Sequence, residues 1–248
     1  GNNMNNSIFA YTMGFLFLGL LHQAHSQKND GGIVVPKGFS VEVIGIDLGS
    51  PRHISVAQNG TIYANRSKDD GFLVLKDSNG DGLLDNKKVI GHARGTEVLL
   101  KNDYLYTSSN SAIYRYKLDK NQEIINEATP GLIVSGLADH GRDNAKPFTM
   151  DAASNIYVTI GSWNDPCRKA GTGEGMMPCP VLDSAGGIWK YNANVMNQTF
   201  SDGSLYAKGV KNGVALDWNF ETNSLFSVVH GRGQFHDYYP QFYTPEQR

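Results

Sequence analysis

The chain has 248 residues and a formal net charge of -2, with 40% apolar and 19% charged residues. This length and balance suit one large globular domain, and so weak a charge leaves no basic field with which to grip nucleic-acid phosphates. Twenty-eight glycines, twelve tyrosines and eleven phenylalanines instead indicate many short strands and tight turns.

After Met4, residues 7–21 (SIFAYTMGFLFLGLL) form a compact apolar run, and Ala24 and Ser26 then set a small-x-small cleavage pattern before Gln27. The segment reads as a secretory signal peptide, short for a membrane span. Its n-region holds no Lys or Arg, so a membrane-anchored helix is the alternative. The expectation is a signal peptide with upstream residues over 1–26, a folded domain over 27–248, export to the periplasm or the medium, and no stable membrane insertion after cleavage.

The next elements are strands. ISVAQNGTIYANR from Ile54 and then FLVLK lead into DSNGDGLLD at residues 77–85. There Asp77, Asn79, Asp81 and Asp85 stand at the ligand spacing of an EF-hand loop, with Gly82 at the sharp turn. Lys88 occupies the place of the bidentate Glu, and no amphipathic helix flanks the loop, which argues against a calcium sensor. Two readings stay open: a turn between two strands, or a shortened structural calcium loop. Further strand candidates follow at VLLKNDYLYTSS, AIYRYKL, FTMDAASNIYVTIGS, GIWKYN and VALDWNFETNSLFSVVHG. Between the third and fourth of these, Cys167 and Cys179 bracket a Gly-rich excursion. A disulfide would clip it, for roughly 3 kcal/mol in a chain-entropy estimate; two free thiols are the alternative. The GTGEG inside it lacks the leading strand and following helix of a phosphate loop.

Four of these stretches resemble one another, each a short apolar strand, a polar turn and an aliphatic-aromatic strand. The second strands carry Tyr63, Tyr106, Tyr157 and Phe226, spaced 43, 51 and 69 residues apart. No helical period is sustained between residues 40 and 248. The expectation is an all-β chain, a β-propeller with about four blades present; a twisted sandwich is the alternative.

In a propeller the innermost strands start near the axis, so the segments ahead of the repeats, SPRH, RGTE, DHGRDNAKP and GVKN, would converge at one mouth. With HGRGQFHD from His230, that mouth collects Arg52, Arg142, Lys146, Lys211 and Arg232 as cations and His53, His140 and His230 as bases. Clustered cations in a concave mouth favour an anionic ligand.

The segments VPKGFSVEVIGIDLGSPRHISVAQNGTIYA (residues 35–64), GTEVLLKNDYLYTSSNSAIYRYKL, DHGRDNAKPF...NIYVTIGS and GVKNGVALDWN together resemble the PQQ-dependent sugar dehydrogenases, the soluble glucose and sorbosone dehydrogenase family. The resemblance implies a propeller of six blades when complete, opening with a strand over PKGFSVEV. It implies PQQ and calcium as cofactors, a small sugar as substrate and an external electron acceptor. It casts His140 as the base that takes the hydroxyl proton while a hydride passes to the quinone, with Arg142 beside it as a second catalytic candidate. Lys211 and Asn212 fall on the family's Arg-Asn cofactor pair, the Lys keeping the charge but losing the bidentate fork. Arg52, Glu97 and Arg232 join them as cofactor-binding candidates, and the calcium-holding backbone carbonyls fall near Gly231 and Arg232. The family's remaining cofactor contacts come from later blades, so this stretch alone is expected to be truncated and inactive. Two other functions fit the scaffold. One is a lactonase-like calcium hydrolase, for which the mouth offers Glu97, Asp139 and Asp143. The other is a non-catalytic propeller that binds carbohydrate or protein, for which HDYYPQFY (residues 236–243) offers stacking surface.

Overall fold

The computed structural model describes residues 31–163, 167–230 and 235–247. The polypeptide divides into two units, residues 1–43 and 44–248. In the first, residues 31–43 form turns and extended chain without a strand. The strand expected over PKGFSVEV is therefore not formed: a strand is defined by the neighbour that takes its amides, and none pairs with it among the described residues.

The second unit is built from sheets in chain order. The first contains β1 (Pro51–Val56), β2 (Ile62–Arg66), β3 (Phe72–Lys76) and β4 (Asn86–Ile90), laid side by side in that order with every neighbour antiparallel. The second repeats the plan with β5 (Val98–Lys101), β6 (Tyr104–Ser108), β7 (Ile113–Lys117) and β8 (Gly131–Ser135). Its first hairpin turns on Asn102 and Asp103 between the paired Lys101 and Tyr104, and Asn102 has φ 54°. Asn tolerates that left-handed backbone, which is why a two-residue turn forms there. The third sheet contains β9 (Phe148–Met150), β10 (Asn155–Ile160), β11 (Gly187–Asn192) and β13 (Ser204–Lys208). The short β12 (Gln198–Thr199) leaves it to run parallel to β8 and so ties the third sheet to the second. The fourth is the pair β14 (Gly213–Asn219) and β15 (Ser224–Val229), followed by the single helical turn α1 (Phe235–Tyr238).

Strand alternation sends successive side chains to opposite faces, and the core forms as layers between neighbouring sheets. Tyr63, Phe72 and Val74 of the first sheet pack on Val98, Leu105 and Tyr116 of the second. Tyr106, Ile113 and Ile133 of the second pack on Phe148, Ile156, Val158 and Trp189 of the third. Tyr157 and Ile188 of the third meet Leu216 and Trp218 of the fourth, with Tyr157 and Trp218 stacked at 5.1 Å. The other face of the first sheet, Ala64, Leu73 and Leu75, is covered by Leu48 and Leu84. Each large apolar side chain so buried contributes about 1.5–3 kcal/mol. Ile54 and Val56 on β1, and Phe226 and Val228 on β15, are instead more than half exposed.

DSNGDGLLD is the connection between β3 and β4. Asp77 accepts hydrogen bonds from the Gly80 and Gly82 amides, Asp81 from Leu83 N, and Asp85 from Ser78 N and Oγ. Those bonds to Ser78 hold the Asp85 carboxyl below the usual carboxylate range. Cys167 and Cys179 are joined in a disulfide that closes the excursion between β10 and β11.

Candidate functional site

Innermost strands of neighbouring sheets lie side by side, β1 by β5 and β9 by β14, so the loops ahead of them meet in pairs. At the first pair, His53 Nδ1 lies 2.7 Å from Glu97 Oε2. Both side chains are mostly buried, at 20% and 11% exposure. Glu97 is held by its backbone: its amide donates to Ser108 Oγ, and its carbonyl accepts from Asn65 Nδ2, which also donates to the Ser108 carbonyl. Gly95 makes this fit possible, because a Cβ there would overlap the Ser108 carbonyl oxygen. Arg52, on the same strand as His53, is exposed.

At the second pair, Asp143 receives Lys211 Nζ at 2.8 Å and Asn212 Nδ2 at 3.1 Å. The third and fourth sheets are tied by Ser162 N donating to the Lys211 carbonyl, while His230 N, donating to the Asn212 carbonyl, extends the β14–β15 pair. Gly161 lets the loop press against β10, since any Cβ would overlap the Asp143 carbonyl oxygen.

His140 and Arg142 stand exposed on the loop between the second and third sheets. The His140 ring lies 3.7 Å from that of Trp163, tilted 45°. Asp139 braces the loop by accepting from Gly141 N and Asn144 Nδ2. Beneath it Lys146 is fully buried and donates from Nζ to the Asn144 carbonyl at 2.6 Å. Burial pushes its pKa down to about 8, against the pull of Asp139 in the other direction.

The mouth residues thus fall into two groups, His53 with Glu97 and Lys211 with Asn212 through Asp143, with His140 and Arg142 on the loop from the second sheet to the third. Arg52 and Arg142 have no carboxylate partner among the described residues. Gly231 and Arg232 lie outside the described residues, as do residues 1–26. Two participants carry no signal strong enough to single them out: Trp163 is an aromatic three residues after a strand, and Asn65 is an amide near a strand end. Asp143 stands out in the sequence only as an acid for a calcium hydrolase, and its part in holding Lys211 and Asn212 is not legible there. Among the described residues, no group of three or more His, Cys, Asp or Glu side chains is gathered so as to hold a metal ion. No helix among them is long and apolar enough to cross a membrane.

Successive antiparallel sheets, each sharing a core layer with the next and opening its first strand at one mouth, define a β-propeller. The chain belongs to the TrAA12-like family, whose model matches residues 33–241. Among solved structures it is similar to a Trichoderma reesei protein of carbohydrate-active enzyme family AA12, at 16% identity and TM-score 0.62, covering 80% of this chain and 50% of that one. It is also similar to the holo PQQ domain of pyranose dehydrogenase from Coprinopsis cinerea, at 15% identity and TM-score 0.60 with the same coverage. The PQQ-bound aldose sugar dehydrogenase of Streptomyces coelicolor follows at 15% identity and TM-score 0.52, covering 77% of this chain and 59% of that one. The chain spans about half the length of the structures it matches. No curated protein matches its sequence.

Proposed function

We propose that the chain is part of an exported quinoprotein oxidoreductase that oxidises a sugar, or a related aldose or alcohol, at a carbinol carbon with PQQ and calcium. In this reading residues 1–26 are the signal segment and 27–248 an incomplete glucose/sorbosone dehydrogenase-like propeller. The reading is supported by two exposed guanidiniums without carboxylate partners among the described residues, Arg52 on the first sheet's innermost strand and Arg142 on the loop ahead of the third sheet's, the latter two residues from the exposed imidazole of His140. A planar tricarboxylate suits that set, because guanidinium forks match carboxylates in pairs. Lys211 and Asn212 would add a cation and an amide, both aimed by Asp143.

When bound, PQQ would supply the two-electron acceptor for the hydride leaving carbon. The chain's own part is acid-base and electrostatic. His140 takes the hydroxyl proton as the carbonyl forms, and the Trp163 ring against it limits the directions its imidazole can face. Arg142, two residues on, favours the anionic character that develops beside it. Glu97 orients His53, the mouth's other imidazole. Calcium belongs to the proposal through the family resemblance; the carbonyls at Gly231 and Arg232 are its candidate ligands and Asp77, Asn79, Asp81 and Asp85 a candidate structural site. The lactonase reading is the weaker one, because Glu97 and Asp143 already serve His53 and Lys211.

Activity is proposed for the protein carrying its further blades and drawing on an external electron acceptor, with this stretch alone inactive. The test is titration of PQQ with calcium into that protein, then dye-linked oxidation of an aldose panel. Turnover should fall by about 10²–10⁴-fold in His140→Ala while PQQ affinity holds. Absence of PQQ binding in the folded protein would overturn the reading.

A further inference from the structure

The mouth is not the molecule's only concavity. Between the first and second sheets, outward from the His53–Glu97 pair, lies a cavity of about 360 Å³. Phe72, Ile90 and Pro130 give it apolar walls beside the rings of Tyr114 and Tyr116. Phe72 and Tyr116 meet edge to face at 5.2 Å.

Two of its hydroxyls are left without a partner among the described residues and face the cavity. Tyr116 and Thr107 are each only 5% exposed, yet among the described residues neither side-chain hydroxyl has a hydrogen-bond partner. Neither is among the side-chain atoms sealed from solvent without a partner, which among the described residues are Thr159 Oγ1 and Trp218 Nε1, so both hydroxyls are open to whatever fills the cavity. Gly91, at φ 74°, passes close to the Tyr116 hydroxyl, where even a methyl group would stand 3.2 Å away, and so leaves it open. Burial raises the Tyr116 pKa, with Tyr114 adding to the effect, so the hydroxyl stays protonated and able to donate.

The lining also excludes ligand classes. It contains no Lys or Arg, its one acid, Glu127, is engaged by Lys88 Nζ at 2.6 Å, and its one imidazole, His92, is exposed. An anion would find no permanent counter-charge there. The volume is near the low end for small-molecule sites, about the share of twelve waters. A compact neutral molecule with one apolar face and several hydroxyls matches aromatic walls set with free hydroxyl groups.

We propose that this cavity is a binding site for a single pyranose ring, separate from the mouth and independent of any cofactor there. The Tyr116 and Thr107 hydroxyls bond the sugar's hydroxyls, and the Phe72 and Tyr114 rings take its C–H face. Asn65 lines the cavity and also bonds the Glu97 carbonyl, so the two sites share one buried amide.

The experiment uses the full chain freed of PQQ and calcium, titrated with D-glucose and followed by aromatic-proton NMR. Saturable shifts of the Tyr114 and Tyr116 resonances are expected. Tyr116→Phe and Thr107→Val, which remove only an unpartnered hydroxyl, should each weaken binding about fivefold. Ala128→Trp, at the exposed rim, should abolish it. No saturable shift in a folded chain, or binding that Ala128→Trp leaves intact, would overturn the proposal. PQQ titration of Ala128→Trp, expected to be unchanged, keeps this outcome apart from the fate of the quinoprotein reading.

Discussion

Lys146→Met is the sharpest test of the energetics of the mouth. Lys146 has no exposed surface, and its pKa falls from 10.5 to about 8. That difference converts, at 1.36 kcal/mol per pH unit, to a cost of about 3 kcal/mol for carrying the charge in the folded state. Below pH 8 folded and unfolded chains both hold the proton, and the folded state bears the whole cost. Between about pH 8 and 10.5 the unfolded chain binds more protons than the folded one, so stability rises with pH through this window. Methionine has a similar reach and no charge, and gives up only the bond to the Asn144 carbonyl, worth about 1 kcal/mol. Urea denaturation near pH 7 should therefore find the variant about 2 kcal/mol more stable, with the gap closing towards pH 10. Tyrosine titration in the same range affects both proteins alike and cancels from the difference. A variant less stable near pH 7, or a gap that does not move with pH, would refute the account.

Asn65→Ala should cost about 1–3 kcal/mol in the same denaturation assay, because it removes both bonds of a buried amide, to the Ser108 carbonyl and to the Glu97 carbonyl, the latter keeping only Ser108 N. Tyr63→Phe removes one hydroxyl bond to the Gln122 carbonyl and should cost only about 1 kcal/mol. Replacing both Cys167 and Cys179 with Ser should lower stability by roughly 3 kcal/mol, seen as an earlier urea midpoint, since it reopens the loop between them. Asp143→Ala should weaken PQQ binding in calorimetry by about tenfold or more, because Lys211 and Asn212 lose the carboxylate that aims them.

The repeat was legible because alternation and aromatic punctuation survive in single strands. Tyr63, Tyr106 and Tyr157 each mark the second strand of a sheet and are buried. Phe226 marks the same position in β15 yet is 58% exposed. Pattern records which face a side chain takes, whereas burial depends on what stands opposite. Outer strands were harder to read: β4 carries NKKVI with four exposed residues, so no alternation separates it from a polar loop. The mouth was legible as a composition of ionisable residues, but its pairings were not. That His53 meets Glu97 and Lys211 meets Asp143 follows from which innermost strands adjoin, and that Lys146 lies buried at the foot of a polar loop is decided by tertiary packing.

The layered core makes the sheets unequal. Within this stretch and among the described residues, the second sheet shares side chains with neighbours on both of its faces, and the third likewise, whereas the fourth is held in the core through Leu216 and Trp218 on the side of the third. Stability in such a stack is a sum of nearest-neighbour couplings, so opening begins at a weakly coupled end and spreads inward. Amide hydrogen exchange should therefore run fastest in β14 and β15 and slowest in β6 and β7. The two halves of the mouth inherit this contrast: His53 and Glu97 ride on a stiff junction, while Lys211 and Asn212 ride on the one that breathes. An anion that engaged both halves would slow exchange across the whole stack, with its largest effect where that exchange was fastest.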